Sequence, residues 1–130
     1  MPAQAKVLEY AVEVDRGSRM TIPGGAQIEH PEGWSPDHLL LAALVRCSID
    51  SFTYHARRAG HDVSASGSSH GTITKRDADG RYAFVTIEVA IDAQLDPRTT
   101  AADDLTAKAE RDCFVGASLT INPEYTWRVS

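Results

Sequence analysis

Two cysteines, two methionines, two tryptophans and three phenylalanines are all that this 130-residue sequence holds of those residue types. Two cysteines cannot staple a small secreted scaffold, which is Cys-dense. No C-x-x-C, no H-E-x-x-H and no close histidine pair occurs among His30, His38, His55, His61, His70, Cys47 and Cys113, so no metal site is expected. There is no P-loop and no G-x-G-x-x-G, and no cofactor is expected. Positive charge is scarce too: 13 Lys and Arg stand against 18 Asp and Glu, a formal net charge of −5. That balance disfavours a sequence-independent hold on nucleic acid or on an anionic membrane, both of which need a basic face. No apolar run approaches the roughly 20 residues of a membrane span, and MPAQAKVLEYAVEVDRG lacks the apolar stretch of a signal peptide. The expected compartment is the cytoplasm.

What is present is ordinary for one globular domain, expected over residues 1–130: 42% hydrophobic and 24% charged residues. Residues 6–15 (KVLEYAVEVD) alternate as a strand with one wet face, and Arg19 to Ile22 are expected to return beside it after Gly17. Pro23-Gly24-Gly25 breaks that pairing, and a shorter strand around 26–29 follows. Ser35-Pro36-Asp37 reads as a helix start, with Ser35 at the cap, Pro36 at the first helical position and Asp37 against the positive end of the macrodipole. The helix is expected to run to about Ala59 and stop at Gly60. Leu40, Leu41, Leu44, Val45, Ile49, Phe52 and Ala56 cover more than one stripe of it, so it is a buried helix with Cys47 at its middle.

A loose strand over 62–76, a turn at Asp77-Ala78-Asp79-Gly80 and the strand YAFVTIEVAI over 82–91 come next. Thr100 is expected to cap a second helix through about Asp112, with Ala102, Leu105, Ala109 and Cys113 on one face. Residues 125–129 close as a final strand, which Pro123 confines to a sheet edge. Helices do not alternate with strands, so the class is α+β with mainly antiparallel pairing.

Gly67-Ser68-Ser69-His70-Gly71 matches the G-x-S-x-G elbow of α/β-hydrolases. In that fold the catalytic histidine follows the serine and the acid, yet His70 is the last histidine here. The segment also leads into a strand rather than a helix. A bend or bulge within a sheet explains it better, and the hydrolase reading is rejected.

Cys47 and Cys113 carry more information. A cysteine on an apolar helical face is most often an inert core residue. Here Arg46 and Ser48 flank Cys47, and Cys113 stands where the polar, glycine-containing stretch Phe114-Val115-Gly116-Ala117-Ser118 begins. Core hydrophobe, reactive thiol and half of a redox pair all remain open at this level.

The run Ser35-Pro36-Asp37-His38-Leu39-Leu40-Leu41-Ala42-Ala43-Leu44, ending in Cys47, resembles the (N/S)-P-(E/D)-x-L-x-x-A helix of the OsmC/Ohr family. Gly80-Arg81, Lys108-Ala109-Glu110, Cys113 and Ser118-Leu119 resemble that family's second half in order and spacing. The resemblance implies a mainly antiparallel sheet, a long central helix, a second helix and an intertwined homodimer. It also implies a thiol peroxidase for organic hydroperoxides in oxidative-stress defence, recycled by an external dithiol. Cys47 then matches the peroxidatic cysteine and Cys113 the resolving one. The active-site arginine matches Arg16 or Arg19, Arg16 being favoured, and Asp37 falls where peroxidase members carry the longer glutamate.

The chemistry such a site needs is plain. A thiol attacks peroxide only as thiolate, which a nearby guanidinium favours, and a carboxylate orients the guanidinium. Leu40, Leu44, Phe52 and Phe114 are available as an apolar funnel for a bulky hydroperoxide. The competing reading from another class is a non-catalytic, ligand-binding stress protein on the same scaffold, with a pocket at the dimer interface.

Overall fold

A computed structural model describes residues 5–29 and 31–130, so His30 lies outside the described residues. The backbone separates into two compact units, the first ending at Ser35 and the second being Pro36–Ser130.

The first unit is a small antiparallel meander of β1 (Glu13–Val14), β2 (Met20–Thr21) and β3 (Gln27–Ile28). The β1–β2 turn is organised by Asp15, whose Oδ1 accepts from the backbone N–H groups of Gly17 (2.8 Å) and Arg19 (2.9 Å). Ser18 takes a left-handed φ of 65° to complete it. The expected strand over 6–15 shrinks to Glu13–Val14, because among the described residues 5–12 find no strand to pair with. Period-2 alternation dictates which faces a strand would have, but only a hydrogen-bonded neighbour makes it one. Val7 and Tyr10 are accordingly 81% and 85% exposed.

In the second unit the long helix α1 spans Pro36–Arg58. It carries Asp37 in its first turn and His55, Arg57 and Arg58 in its last, as the macrodipole favours. Gly60, at φ 92°, ends it: its N–H bonds Arg57 O and that of His61 bonds Ala56 O. The main sheet has the order β4 (Asp62–Lys75), β5 (Tyr82–Asp96), β6 (Glu124–Val129). β4 and β5 form an antiparallel hairpin with a register shift at Thr72/Ile73, and Gly80 supplies the positive φ of its turn. β6 joins the other side of β5 in parallel, at the sheet edge.

On β5, Ile87, Val89, Ile91, Ala93 and Leu95 are buried while Glu88, Ala90, Asp92 and Gln94 are exposed. The buried face meets α1 and α2 (Ala102–Arg111) in two adjoining clusters. One gathers Phe52, Ala56, Ala93, Leu95, Leu105 and Ala109; the other gathers Leu44, Ile87, Val89, Ile91 and Cys113. Trp127 packs against both, its ring 5.3 Å from Phe52 and 5.7 Å from Tyr125, centroid to centroid.

The G-x-S-x-G stretch lies inside β4 and does structural work. A β-carbon on Gly67 would stand 2.9 Å from Ala90 O and 3.0 Å from Val45 Cγ1. One on Gly71 would stand 2.5 Å from Phe84 Cε1 and 3.3 Å from Leu41 Cδ2. The two glycines let α1 lie close on the sheet.

Two details of the second helix differ from expectation. Its N-cap is Ala101 rather than Thr100, because Thr99 Oγ1 already accepts the Ala101 N–H at 2.9 Å and sets the turn one residue earlier. Cys113 does not continue its face. α2 ends at Arg111, and Cys113 sits in extended backbone (φ −78°, ψ 106°) as the N-cap of the short helix α3 (Phe114–Ala117).

Candidate functional site

The middle of α1 and the α2–α3 junction meet over the buried face of β5. The α2–α3 turn is what aims Cys113 inward, and its side chain is fully buried. Cys47 is half-buried and packs on the same cluster. Both cysteines are free thiols, and they share one hydrophobic cluster.

Opposing influences act on Cys47. Burial is the strongest and pushes its thiol up; the backbone N–H groups of Val115 and Phe114, at the start of α3, are aimed at its sulfur and pull it down; the Cys113 thiol pushes it up again. Burial wins, and the thiol lies above its ordinary value. The two N–H groups are nonetheless placed where a thiolate or the oxygen of an oxidised sulfur would want donors.

Beside the thiols lies a polar group that sequence reasoning left out. Ser48 is fully buried, and its Oγ donates to Leu44 O at 2.8 Å. The same oxygen is 2.9 Å from Tyr125 Oη and 3.5 Å from Cys113 Sγ. Burial first, and the Cys113 sulfur further down, push the Tyr125 phenol up to about 12, against a smaller pull from its bond with Ser48. Ser48 was visible as the polar neighbour of Cys47. Tyr125 gave no signal, because only the parallel docking of β6 brings it to Cys113.

The other expected site residues are scattered. Leu44 is fully buried in the cluster of Cys113, its Cδ1 near Gly116. Leu40 is half-buried on α1, and Phe114, next to Cys113, is 62% exposed. Phe52 sits instead in the other cluster, under Trp127 and Leu105, because it falls one turn beyond Ser48 on α1. It therefore does not line the surroundings of the sulfurs. Arg46 turns outward to Asp50 at 3.4 Å, both side chains exposed. Asp37 is exposed in the first turn of α1, ten residues from Cys47 and thus roughly 15 Å along the helix axis.

In the first unit Arg19 Nε reaches Glu29 Oε1 at 3.2 Å. Arg16 is exposed in the β1–β2 turn and, among the described residues, its side chain makes no hydrogen bond or ion pair. Among the described residues no cluster of three or more His, Cys, Asp or Glu is arranged for a metal ion, and no helix is long and apolar enough to cross a membrane.

An α+β unit in which a central helix and a helix–helix turn bring two distant thiols together defines a two-cysteine domain of a recognisable kind. The OsmC-like protein family model matches residues 29–128, and the chain belongs to that family. The fold is shared with solved structures at low identity. An OsmC-like protein of unknown function from Vibrio cholerae is 16% identical, with a TM-score of 0.71 over 93% of this chain and 99% of that one. The organic hydroperoxide resistance protein OhrB of Bacillus subtilis is 16% identical, with a TM-score of 0.58 over 94% and 96%. An organic hydroperoxide resistance protein OsmC from Legionella pneumophila is 18% identical, with a TM-score of 0.59 over 98% and 99%. No curated protein sequence matches the chain significantly.

Proposed function

We propose that this OsmC-like protein is a thiol peroxidase that reduces organic hydroperoxides in the cytoplasm. The observation that supports the reading is the packing of Cys47 and Cys113, 66 residues apart in sequence, as two free thiols on one hydrophobic cluster. The Cys47 thiolate attacks the terminal peroxide oxygen, the O–O bond breaks, and the alkoxide leaves as alcohol after taking a proton. Cys47 becomes a sulfenic acid. Cys113 then attacks the Cys47 sulfur, the S–O bond breaks, and water departs with the hydroxyl proton of the sulfenic acid and the proton Cys113 gave up. An external dithiol reduces the disulfide and restores both thiols.

The activating groups are Arg16 and Asp37, supplied across a homodimer. Within one chain Asp37 is too far along α1 to reach Cys47 (roughly 15 Å by helix rise). Two long helices packed antiparallel about a two-fold axis bring the start of one to the middle of the other. A guanidinium beside Cys47 would offset the burial that holds its thiol up. Leu40 and Phe114 supply apolar surface for a bulky substrate, with the fully buried Leu44 packed behind the sulfurs.

One observation favours a second reading, a non-catalytic binding protein: within the chain described, burial pushes the Cys47 thiol above its ordinary value, away from the thiolate that attacks peroxide. Stopped-flow mixing of the reduced protein with cumene hydroperoxide and with hydrogen peroxide decides between them. The peroxidase reading expects rapid, stoichiometric disulfide formation with the organic peroxide and slower reaction with hydrogen peroxide. Survival of both thiols in excess cumene hydroperoxide would establish the second reading.

A further inference from the structure

Three polar side chains of α1, at i, i+3 and i+7, each meet the end of α2 or the turn after it. Ser48 Oγ lies 3.5 Å from Cys113 Sγ, Ser51 Oγ donates to Ala109 O at 2.8 Å, and His55 Nε2 lies 2.7 Å from Asp112 Oδ2. The last is the shortest, and the His55 side chain is only 13% exposed. Chemistry fixes its donor. Arg111 first, and His55 after it, draw the Asp112 carboxyl down to about 2. Above that pH Asp112 is a carboxylate that can only accept, so the hydrogen sits on His55 Nε2 whether the ring is neutral or charged.

Asp112 is the residue at which the chain leaves α2. It takes the bridge conformation φ −99°, ψ 11°, with its N–H still bonded to Lys108 O, and Cys113 follows in extended backbone as the N-cap of α3. Neither glycine nor proline enforces this break, so the direction of the Cys113 side chain depends on how Asp112 is held. Arg111 bonds the same carboxylate at 3.0 Å, but it is the adjacent residue of the same turn, with its side chain 67% exposed. Among the described residues, only His55 ties the Asp112 side chain to another element, and that element carries Cys47. Neighbouring charges are engaged elsewhere: Lys108 pairs with Asp104 at 3.0 Å, and Glu110 accepts from Trp127 Nε1 at 3.2 Å.

From this arrangement we infer that His55 and Asp112 are positioning residues for Cys113: the pair clamps the turn after α2 to α1 and holds the Cys113 sulfur on the cluster it shares with Cys47. Neither residue reacts. The purpose of the clamp rests on the peroxidase reading, in which Cys113 must reach an oxidised Cys47 before a second peroxide does.

The test needs no peroxide, so its outcome is separate from that of the peroxidase reading. In a Cys47→Ser background Cys113 is the only thiol, and its rate of alkylation by iodoacetamide reads how often the turn opens. His55→Leu and Asp112→Ala are each expected to raise that rate about tenfold beyond what their change in global unfolding accounts for, the loss of one charge-assisted hydrogen bond. The double variant is expected to be no faster than either single one. His55→Gln, whose amide hydrogen can take the place of Nε2–H, is expected to restore most of the protection, and Arg111→Ala to leave it nearly unchanged. Rates that merely follow global stability, or single effects that multiply in the double variant, overturn the inference. Should the larger changes fail to fold, Asp112→Asn keeps the shape and weakens the acceptor; an unchanged alkylation rate there also overturns it. With both cysteines present, equilibration in glutathione buffers reads the purpose: His55→Leu is expected to weaken the Cys47–Cys113 disulfide about tenfold. An undiminished disulfide in His55→Leu overturns the inference. A wild type that forms no such disulfide removes the peroxidase reading, and the alkylation rates still decide the clamp.

Discussion

Phe84 of β5 lies across Gly71 of β4, so closely that a β-carbon on the glycine would fall 2.5 Å from Cε1 and 2.8 Å from Cδ1 of the ring. Leu41 of α1 closes the same spot from above. The ring thus occupies the place where a side chain would otherwise separate helix from sheet, and α1, which carries Cys47, settles at the depth that this contact allows.

Gly71→Ala is therefore expected to destabilise the fold by about 1–3 kcal/mol, the usual range for overpacking a close-packed site. Combining it with Phe84→Leu is expected to recover part of the loss. Chemical denaturation of the single and double variants measures both; a neutral Gly71→Ala would show that the ring moves aside freely.

The phenol of Tyr125, pushed up to about 12 by burial, binds its proton more tightly folded than unfolded. Its contribution to stability is complete below the ordinary tyrosine pKa of about 10 and is lost as the pH rises from there through about 12. The melting temperature of the wild type is expected to fall over that window more steeply than that of Tyr125→Phe. Parallel alkaline limbs would refute this.

Asp112 gives the opposite case. Hydrogen bonding from Arg111, followed by His55 at 2.7 Å, draws its carboxyl down to about 2. The stabilisation is present above the ordinary carboxylate range near 4 and is lost as the pH falls through about 2. In Asp112→Asn the acid limb of the melting curve between about pH 4 and pH 2 is expected to be flatter than in the wild type.

The cysteine variants separate the two proposed roles. Cys47→Ser is expected to abolish hydroperoxide consumption, since a hydroxyl cannot supply the thiolate. Cys113→Ser is expected to allow one turnover and then stall with Cys47 oxidised. A dimedone adduct on Cys47, seen by mass spectrometry only in Cys113→Ser, would establish the order; wild-type activity in Cys47→Ser would remove the peroxidase reading.

If Arg16 activates Cys47 across a dimer, Arg16→Ala leaves the Cys47 thiol where burial puts it, above its ordinary value. Alkylation rate against pH, in a Cys113→Ser background, is expected to show the wild-type thiol ionising at lower pH than the Arg16→Ala thiol. Coincident profiles, or a monomer by sedimentation at micromolar concentration, would defeat the shared site.

Local physics wrote much of this protein into its sequence. Pro36 and Asp37 start α1 and Gly60 stops it, because a fixed φ, a first-turn charge and a left-handed glycine act within a few residues. The alternation of β5 and the turn at Gly80 were legible for the same reason, as was the α+β order of the elements. The strand over 6–15 was legible only as a pattern, since its pairing depends on a neighbour that the pattern does not specify. The position of Cys113 was not legible either: helical periodicity placed it on α2, whereas the break after Arg111 turns it inward as the N-cap of α3. Tyr125 owes its place beside Ser48 and Cys113 to the parallel registration of β6 on β5, and Gly67 and Gly71 owe theirs to the depth at which α1 docks. Contacts within one turn of chain are set by the residues in that turn. The meeting of Cys47, Ser48, Cys113 and Tyr125 spans three elements, and only the packing of α1 and the α2–α3 turn against one sheet face brings them together.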